Sequence, residues 1–209
     1  MSSVASVHSQ SDSDGTLVTS VLIDTVLPIH HQERPSKILE FGSGHSDTID
    51  FLQQSFWGRY TILSAIDDAS EINQLLSQEE VSPVERDDRI LETLEPALGQ
   101  AYDLVLLWDF AAYFSESNLS WLDRLLDQFV TDSGAVHGFL CHNTTRHLFA
   151  KHWGVHDREH LICEDRSGVL PYQHQRLKFT RNLSSFAIEK SVLLKDGRLE
   201  VVLRRKSEL

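Results

Sequence analysis

A short apolar run that ends in two closely spaced glycines most constrains the fold of this chain. Residues 37–41 read Lys-Ile-Leu-Glu-Phe, Gly42-Ser43-Gly44 follows, and apolar residues then recur at helical spacing from 47 to 56. The pattern predicts a strand, a glycine turn and a helix. Such a turn lets a ligand approach the backbone and offers it the N–H groups of the helix start.

The segments after this turn alternate between strand and helix signals. Residues 102–108 form a continuous apolar run, which is typical of a strand buried on both faces. Strands are also expected at 60–66 and 135–141, and helices at 69–78, 117–130 and 173–183. Alternation of this kind predicts an α/β fold with a parallel sheet.

The last apolar runs, 186–194 and 199–203, are joined by a segment that contains Asp196-Gly197. Asp-Gly between two strands favours a tight hairpin, because glycine accepts the positive φ that the turn requires. The chain is therefore expected to end its sheet with an antiparallel pair.

Three segments have weaker signals. We expect a packing or lid helix within 16–31, ended or bent by Pro28, and a short edge strand within 81–88. Residues 142–172 show little periodicity but hold many histidines and aromatics, so we expect an irregular insertion there. The serine-rich residues 1–15 are expected to be a flexible tail, and 16–209 a single domain.

The net charge of the chain disfavours some classes of binding partner. The 31 acidic and 19 basic residues give a formal charge of −12, which repels phosphate backbones and anionic lipids, so neither nucleic acid nor a membrane is expected as a partner. With two cysteines, no apolar run of membrane-spanning length and no secretory signal pattern, we expect a cytoplasmic protein.

The glycine turn does not match the dinucleotide pattern Gly-x-Gly-x-x-Gly, because its sixth position is Asp47. Instead, Glu40-Phe41-Gly42-Ser43-Gly44 resembles the first motif of class I S-adenosylmethionine-dependent methyltransferases, an acidic residue followed after one position by Gly-x-Gly. The resemblance extends from about 37 to 206. A third glycine is common in that motif, and Ser46 stands in its place.

The resemblance implies a Rossmann-like methyltransferase fold. This is a three-layer α/β/α sandwich whose seven-stranded, mostly parallel sheet has an antiparallel last strand. It also implies S-adenosylmethionine as the cofactor, contacted by Glu40, Gly42, Ser43 and Gly44.

Carboxylates further along the chain complete the expected cofactor site. In the family an acidic residue at the end of the next strand holds the ribose hydroxyls, and Asp67 stands there, or Asp68 if the strand ends one residue later. Asp87 and Asp88 are the candidates for the adenine contact. An ordinary alternative for Asp67 is to cap the helix that follows it.

The family also has a strand that reads roughly Phe-Asp-Leu-Val, matched here by 102–105. The end of this strand, at Trp108 and Asp109, would lie beside the methionine part of the cofactor. The alternatives are a core position for Trp108 and a strand-end cap for Asp109.

Two side chains are candidates for the methyl acceptor side. Tyr113 or His142 is expected there, since either side chain can remove a proton from an oxygen or nitrogen acceptor. His152, His156 and His160 are spaced to line one helix face, but no cysteine or carboxylate completes a recognised motif, so we expect no metal site.

The sequence thus predicts an S-adenosylmethionine-dependent methyltransferase that acts on a small-molecule or protein acceptor. The alternative is a non-catalytic module on the same fold, which binds S-adenosylmethionine or acts by binding a protein partner. Acceptor pockets of this fold are built from variable insertions, so the motif does not identify the acceptor.

Overall fold

The computed structural model describes residues 15–28, 34–63, 70–78, 99–143, 145 and 147–206, together with 82, 85, 88–90, 92, 94 and 97. Its strands are β1 Thr16–Thr19, β2 Ser36–Phe41, β3 Gly58–Leu63, β4 Tyr102–Trp108, β5 Val130–Cys141, β6 Phe149–Val155, β7 His160–Val169, β8 Phe186–Leu193 and β9 Arg198–Arg205. Its helices are α1 Ile23–Val26, α2 Ser46–Ser55, α3 Ser70–Leu76, α4 Leu119–Phe129 and α5 Arg176–Asn182. Short 3-10 turns lie at Phe110–Tyr113 and Glu116–Asn118.

The larger sheet has the strand order β3-β2-β4-β5-β9-β8. Strands β3, β2, β4 and β5 are parallel, while β9 is antiparallel to both of its neighbours. This confirms the predicted mostly parallel α/β sheet with an antiparallel last strand. Six of the expected seven strands lie in the described part of the chain.

Strand β4 lies at the centre of this sheet and is buried on both faces. Val105 and Leu107 join a cluster with residues of α3, α4 and α5, whereas Leu104 and Leu106 pack with residues of α1, α2 and the β6–β7 hairpin. The apolar residues of α4 that recur at helical spacing are all buried. Strand β4 therefore fits the central position that its continuous apolar run predicted.

A second, three-stranded antiparallel sheet has the order β1-β7-β6. The expectation of an irregular insertion at 142–172 was wrong, because most of that segment forms the β6–β7 hairpin. Its tight connection is stabilised by Asp157, whose Oδ1 accepts the backbone N–H groups of Glu159 and His160, both at 2.7 Å. In β7 the buried residues Leu161 and Cys163 alternate with partly exposed ones, a period of two that predicts a strand.

The packing or lid helix expected within 16–31 is present but is only one turn long. The β-branched stretch Thr-Leu-Val-Thr forms β1, which pairs with β7, and only Ile23–Val26 is helical. Leu27 is extended, as expected for a residue that precedes proline.

An edge strand was expected within 81–88, where the structure describes only Ser82, Glu85 and Asp88; Glu85 and Asp88 are helical rather than extended. Residues 1–14, Asp67, Asp68 and Asp87 lie outside the described residues, so the predictions for them stay predictions. None of the helices in the described ranges has the length and apolar character needed to span a bilayer.

Candidate functional site

The order of the strands creates a crevice between the carboxyl ends of β2 and β4. In the sheet, β3 lies on one side of β2 and β4 lies on the other side. The connections that follow β2 and β4 therefore run in opposite directions from this point of the sheet. Ligands of open α/β sheets bind at such topological switch points. We call the space here the switch-point cleft. Its lining residues are Glu40, Phe41, Gly42, Ser43, Trp108, Asp109, Phe110, Tyr113, Lys151, His152, Trp153 and Arg166.

The glycine turn after β2 forms one wall of the cleft. Gly42 and Gly44 have φ angles of 130° and 69°, which side chains disfavour. A Cβ on Gly44 would also lie 2.7 Å from Cδ1 of Ile62. Helix α2 begins directly after the turn, where Nδ1 of His45 accepts the backbone N–H of Asp47 at 3.1 Å. The predicted strand, glycine turn and helix are thereby confirmed.

Glu40 lies beneath this turn and is only 1% exposed. Burial raises the pKa of its carboxyl group to about 7, although a hydrogen bond donated by the Tyr60 hydroxyl opposes the rise. The carboxyl group therefore exchanges its proton near neutral pH, and a cationic group that reached it would favour the ionised form.

Trp108 ends β4 on the opposite wall of the cleft. Its φ of 47° is the one positive φ among the described residues other than glycine, and such backbone strain is concentrated at functional sites. The side chain is 5% exposed and stacks on Phe139 with a ring separation of 6.2 Å. Its indole N–H faces the Glu40 carboxyl group and lowers the pKa of that group, although the N–H completes no full hydrogen bond within the described ranges.

The carboxylate of Asp109, next along the chain, is fully engaged by protein groups. Arg198 donates to both oxygens, from Nε at 2.9 Å and from the second guanidinium nitrogen at 3.0 Å, and the Trp153 indole donates to Oδ2 at 2.9 Å. Arg198 also donates to the Phe149 carbonyl. Asp109 thus joins β4 to β9 and β6, and its role as a cofactor contact stays a prediction.

The β6–β7 hairpin covers the cleft and contacts the glycine turn. His152 Nε2 lies 3.2 Å from both the Ser43 hydroxyl and the Gly44 carbonyl, and Arg166 donates to the same hydroxyl. On the outer side, His156 Nδ1 lies 2.7 Å from an Asp47 carboxylate oxygen. Burial, with the nearby Arg166 charge, lowers the pKa of His152. The remaining cavity is about 30 Å³, whereas pockets for drug-sized ligands measure about 300–1,000 Å³.

The structure brings together some of the predicted residues and separates others. Glu40, Gly42, Ser43, Trp108, Asp109 and Tyr113 line the switch-point cleft, and Gly44 lies in the same turn. His142 is exposed and does not line the cleft. Asp88 is likewise exposed on its helical segment.

Sequence reasoning missed the hairpin side chains that close the cleft, namely Lys151, His152, Trp153 and Arg166, and the buried Arg198. Residue type alone does not signal these positions. The turn at Asp157 and the alternation at Leu161 and Cys163 were the local signals that would have predicted the hairpin.

A larger cavity of about 390 Å³ adjoins the cleft and shares Lys151 and Arg166 with it. Its other lining residues are His147, Leu148, Phe149, Asp165, Asp196 and Arg198. The positive charges of Lys151, Arg166 and Arg198 are partly balanced by the carboxylates of Asp165 and Asp196. The Asp165 carboxylate lies 2.7 Å from the Lys151 ammonium group. The volume suits a small organic molecule.

Comparison with solved structures finds similar chains among methyltransferases. The glycopeptide N-methyltransferase MtfA complexed with sinefungin is 12% identical over 87% of this chain and 90% of that chain, with a TM-score of 0.49. The DhpI–SAH complex is 13% identical over 82% and 78%, with a TM-score of 0.48. A TehB-like SAM-dependent methyltransferase from Corynebacterium glutamicum is 12% identical over 88% and 85%, with a TM-score of 0.45. No protein-family model and no curated protein matches the sequence.

Proposed function

We propose that this chain is an S-adenosylmethionine-dependent methyltransferase. The observation that carries the proposal is the strand, glycine turn and helix at the topological switch point of the sheet. Glu40 and Trp108 flank that turn, one with a carboxyl group whose pKa is raised to about 7 and the other with an indole N–H that faces this carboxyl group. Both groups suit a ligand that carries an ammonium group and hydrogen-bond acceptors.

The chemistry of these groups assigns a part of the cofactor to each. Glu40 would attract the ammonium group of the methionine moiety, and the backbone of Gly42, Ser43 and Gly44 would follow its path. The ribose hydroxyls would be held by Asp67, or by Asp68. We further assign the adenine contact to Asp88 and the methionine side to Trp108 and Asp109. The bound cofactor supplies a methyl group made electrophilic by its positively charged sulfonium.

The β6–β7 hairpin covers the cleft in which we place the cofactor. The cleft of about 30 Å³ has room for little more than one water molecule. His152 and Arg166 hold the hairpin against Ser43 through hydrogen bonds that are partly exposed. We therefore infer that binding requires the hairpin to move away from the glycine turn, as lids of enzyme sites do.

The adjoining cavity of about 390 Å³ is our candidate for the acceptor side. Tyr113 lines the switch-point cleft, so its hydroxyl is a candidate to take a proton from a small-molecule or protein acceptor. His142, which follows β5, is the second candidate. The two candidates are separated by a methyl-transfer assay at saturating S-adenosylmethionine concentration. We expect kcat to fall in Tyr113→Phe if Tyr113 takes the proton, and in His142→Ala if His142 does.

Calorimetric titration of the full chain with adenosylhomocysteine tests the proposal. We expect binding to the wild type and a loss of about tenfold to a hundredfold in affinity for Asp67→Ala, because ribose hydrogen bonds are lost. Asp68→Ala is the matched control and should bind almost as the wild type does. If adenosylhomocysteine fails to bind while NADH raises the melting temperature, the proposed cofactor is wrong.

The lid is tested by Arg166→Ala, which removes a hydrogen bond to Ser43 but leaves Glu40 and the glycine turn unchanged. If the hairpin must open, this variant should bind adenosylhomocysteine faster and more tightly than the wild type, because less free energy is needed for opening. Arg89→Ala, which removes an exposed ion pair with Glu85 away from the hairpin, is the control. Equal association rates in both variants would contradict the lid.

The closed cleft and the engaged Asp109 also favour a second candidate, a non-catalytic module that binds a protein partner. The two functions differ in turnover. Incubation with S-adenosylmethionine and a panel of small-molecule and protein acceptors should release adenosylhomocysteine only if the chain is an enzyme. Binding of the cofactor without turnover across the panel would support the non-catalytic module.

A further inference from the structure

Two histidines and one glutamate meet where the hairpin covers the start of α2. His45 precedes α2, and His152 and Glu164 are directly opposite each other on β6 and β7. One possible ligand atom from each of the three lies within 4.8 Å of the other two. Imidazole nitrogens and a carboxylate oxygen together form a donor set that transition metals bind.

The hydrogen bonds of His152 orient its ring toward Glu164. A carbonyl oxygen can only accept, so the contact of 3.2 Å between Nε2 and the Gly44 carbonyl places the proton on Nε2. In a neutral ring Nδ1 then presents a lone pair, and it lies 3.6 Å from a Glu164 carboxylate oxygen. This contact is favourable either when Nδ1 is protonated or when a cation lies between the two atoms.

His45 provides the independent observation. It is 4% exposed, and its Nε2 has no hydrogen-bond partner in the part of the chain that the structure describes. This nitrogen lies 3.7 Å from the other Glu164 oxygen. The β6 backbone can approach His45 because Gly154 has no side chain, since a Cβ there would lie 2.5 Å from the His45 Cβ.

We propose that His45, His152 and Glu164 bind one divalent transition-metal ion, with Zn²⁺ as the probe of choice. Tetrahedral Zn²⁺ with bonds of about 2.05 Å places neighbouring ligand atoms roughly 3.3 Å apart. His152 Nδ1 and His45 Nε2 lie 3.6 and 3.7 Å from different oxygens of Glu164, and the three ligand atoms lie within 4.8 Å of one another, so the group has to contract by up to about 1.5 Å to bind one ion. Two histidines and a glutamate leave a fourth position for water or another ligand.

Metal binding requires one change at His45. Its Nδ1 accepts the backbone N–H of Asp47, which places the proton of a neutral ring on Nε2, the atom that would bind the metal. The proton therefore has to move to Nδ1, which would then donate a hydrogen bond to the Asp47 carboxylate 3.5 Å away and would no longer accept the Asp47 backbone N–H. A carboxylate that accepts the second N–H of a ligating histidine is a common feature of metal sites.

The ion would connect the hairpin to the start of α2 beside the glycine turn. It would therefore stabilise the closed position of the hairpin. The site itself does not depend on the proposed methyltransferase activity, because its ligands and its readout involve no cofactor.

The test uses the full chain, stripped of metal with a chelator and then titrated with Zn²⁺ by calorimetry and with Co²⁺ by visible absorbance. We expect one equivalent of either ion to bind and the melting temperature to rise, since the ion binds the folded state. Glu164→Gln and His152→Ala should abolish stoichiometric binding. Asp47→Asn should weaken it by about tenfold or more.

His147→Ala is the matched control, because it removes an exposed histidine just before β6 that is not a proposed ligand. This variant should still bind one equivalent of Zn²⁺ or Co²⁺. Glu164→Gln preserves the shape of the side chain and decides the test if His152→Ala does not fold, as judged by circular dichroism without metal. The proposal is overturned if the wild type binds no ion, or if binding survives Glu164→Gln.

Discussion

Asp109 and Arg198 form a bidentate ion pair that is almost completely excluded from solvent, with side-chain exposures of 7% and 2%. The pair joins the end of β4 to the start of β9, and Trp153 completes it from β6 by its N–H bond to Asp109 and by a ring that lies 5.4 Å from the guanidinium carbon. One wall of the switch-point cleft therefore depends on a buried charge pair.

Removal of the Asp109 carboxylate should destabilise the fold. Asp109→Ala removes the buried partner of the Arg198 guanidinium and leaves it only its ion pair with the partly exposed Asp196, so we expect a loss of about 3 kcal/mol in the free energy of unfolding. Arg158→Ala, which breaks the exposed pair with Asp24, should cost no more than about 1 kcal/mol. Urea unfolding measures both. An Asp109→Ala variant that unfolds like the wild type but no longer binds adenosylhomocysteine would instead make Asp109 a cofactor contact.

The raised pKa of Glu40 makes stability depend on pH. A carboxyl group that is harder to ionise in the folded state stabilises the fold below its unfolded pKa, and this contribution is lost as pH rises through the folded value of about 7. The expected loss between about pH 4.5 and pH 7 is about 3 kcal/mol. Glu40→Gln, which mimics the neutral group, should remove this component and be more stable than the wild type at about pH 8.

Unfolding in urea across this pH range, compared between the two proteins, isolates Glu40 from the histidines. Tyr60→Phe is a further check. It removes the hydrogen bond that lowers the Glu40 pKa, so the pH dependence should move to higher pH. If the free energy of unfolding changes with pH in the same way in the wild type and in Glu40→Gln, the pKa of Glu40 is not raised in the folded protein.

The same group should make cofactor affinity depend on pH. If Glu40 binds the ammonium group, it must lose its proton first, and affinity for adenosylhomocysteine should rise between about pH 6 and pH 7.5. Glu40→Gln should bind more weakly and show no such rise. Calorimetry at several pH values measures this, and an affinity that rises equally in both proteins would assign the effect to another group.

The backbone of the glycine turn can be tested against a matched position. Gly44→Ala and Gly99→Ala both place alanine at a φ near 70°, which should cost about 1–2 kcal/mol of stability at Gly99 and more at Gly44. A Cβ at Gly99 meets nothing within 4 Å, whereas one at Gly44 meets Ile62, so the added Ile62→Val substitution should recover part of the loss only for Gly44→Ala. Thermal melts measure the loss. Only Gly44→Ala should also weaken adenosylhomocysteine binding.

The sequence alone determined the elements whose signals are local. The apolar run of β4, the helical spacing of α4, the glycine turn after β2 and the Asp-Gly turn before β9 each depend on residues within a few positions of one another, and the structure confirms all four. The alternation of these elements was sufficient to predict a mostly parallel sheet, and the motif around Gly42 placed Glu40 and the turn at its carboxyl edge.

Only the tertiary structure decided what covers that edge. The contact between His152 and Gly44 spans 108 positions of the chain, and the pair of Asp109 with Arg198 spans 89. Such pairs form because packing of the β6–β7 hairpin and of β9 against the sheet buries apolar surface, and the polar groups brought along must then find partners. Local periodicity carries no information about which partner that is, so the closure of the cleft and the cluster of His45, His152 and Glu164 were visible only in the folded chain.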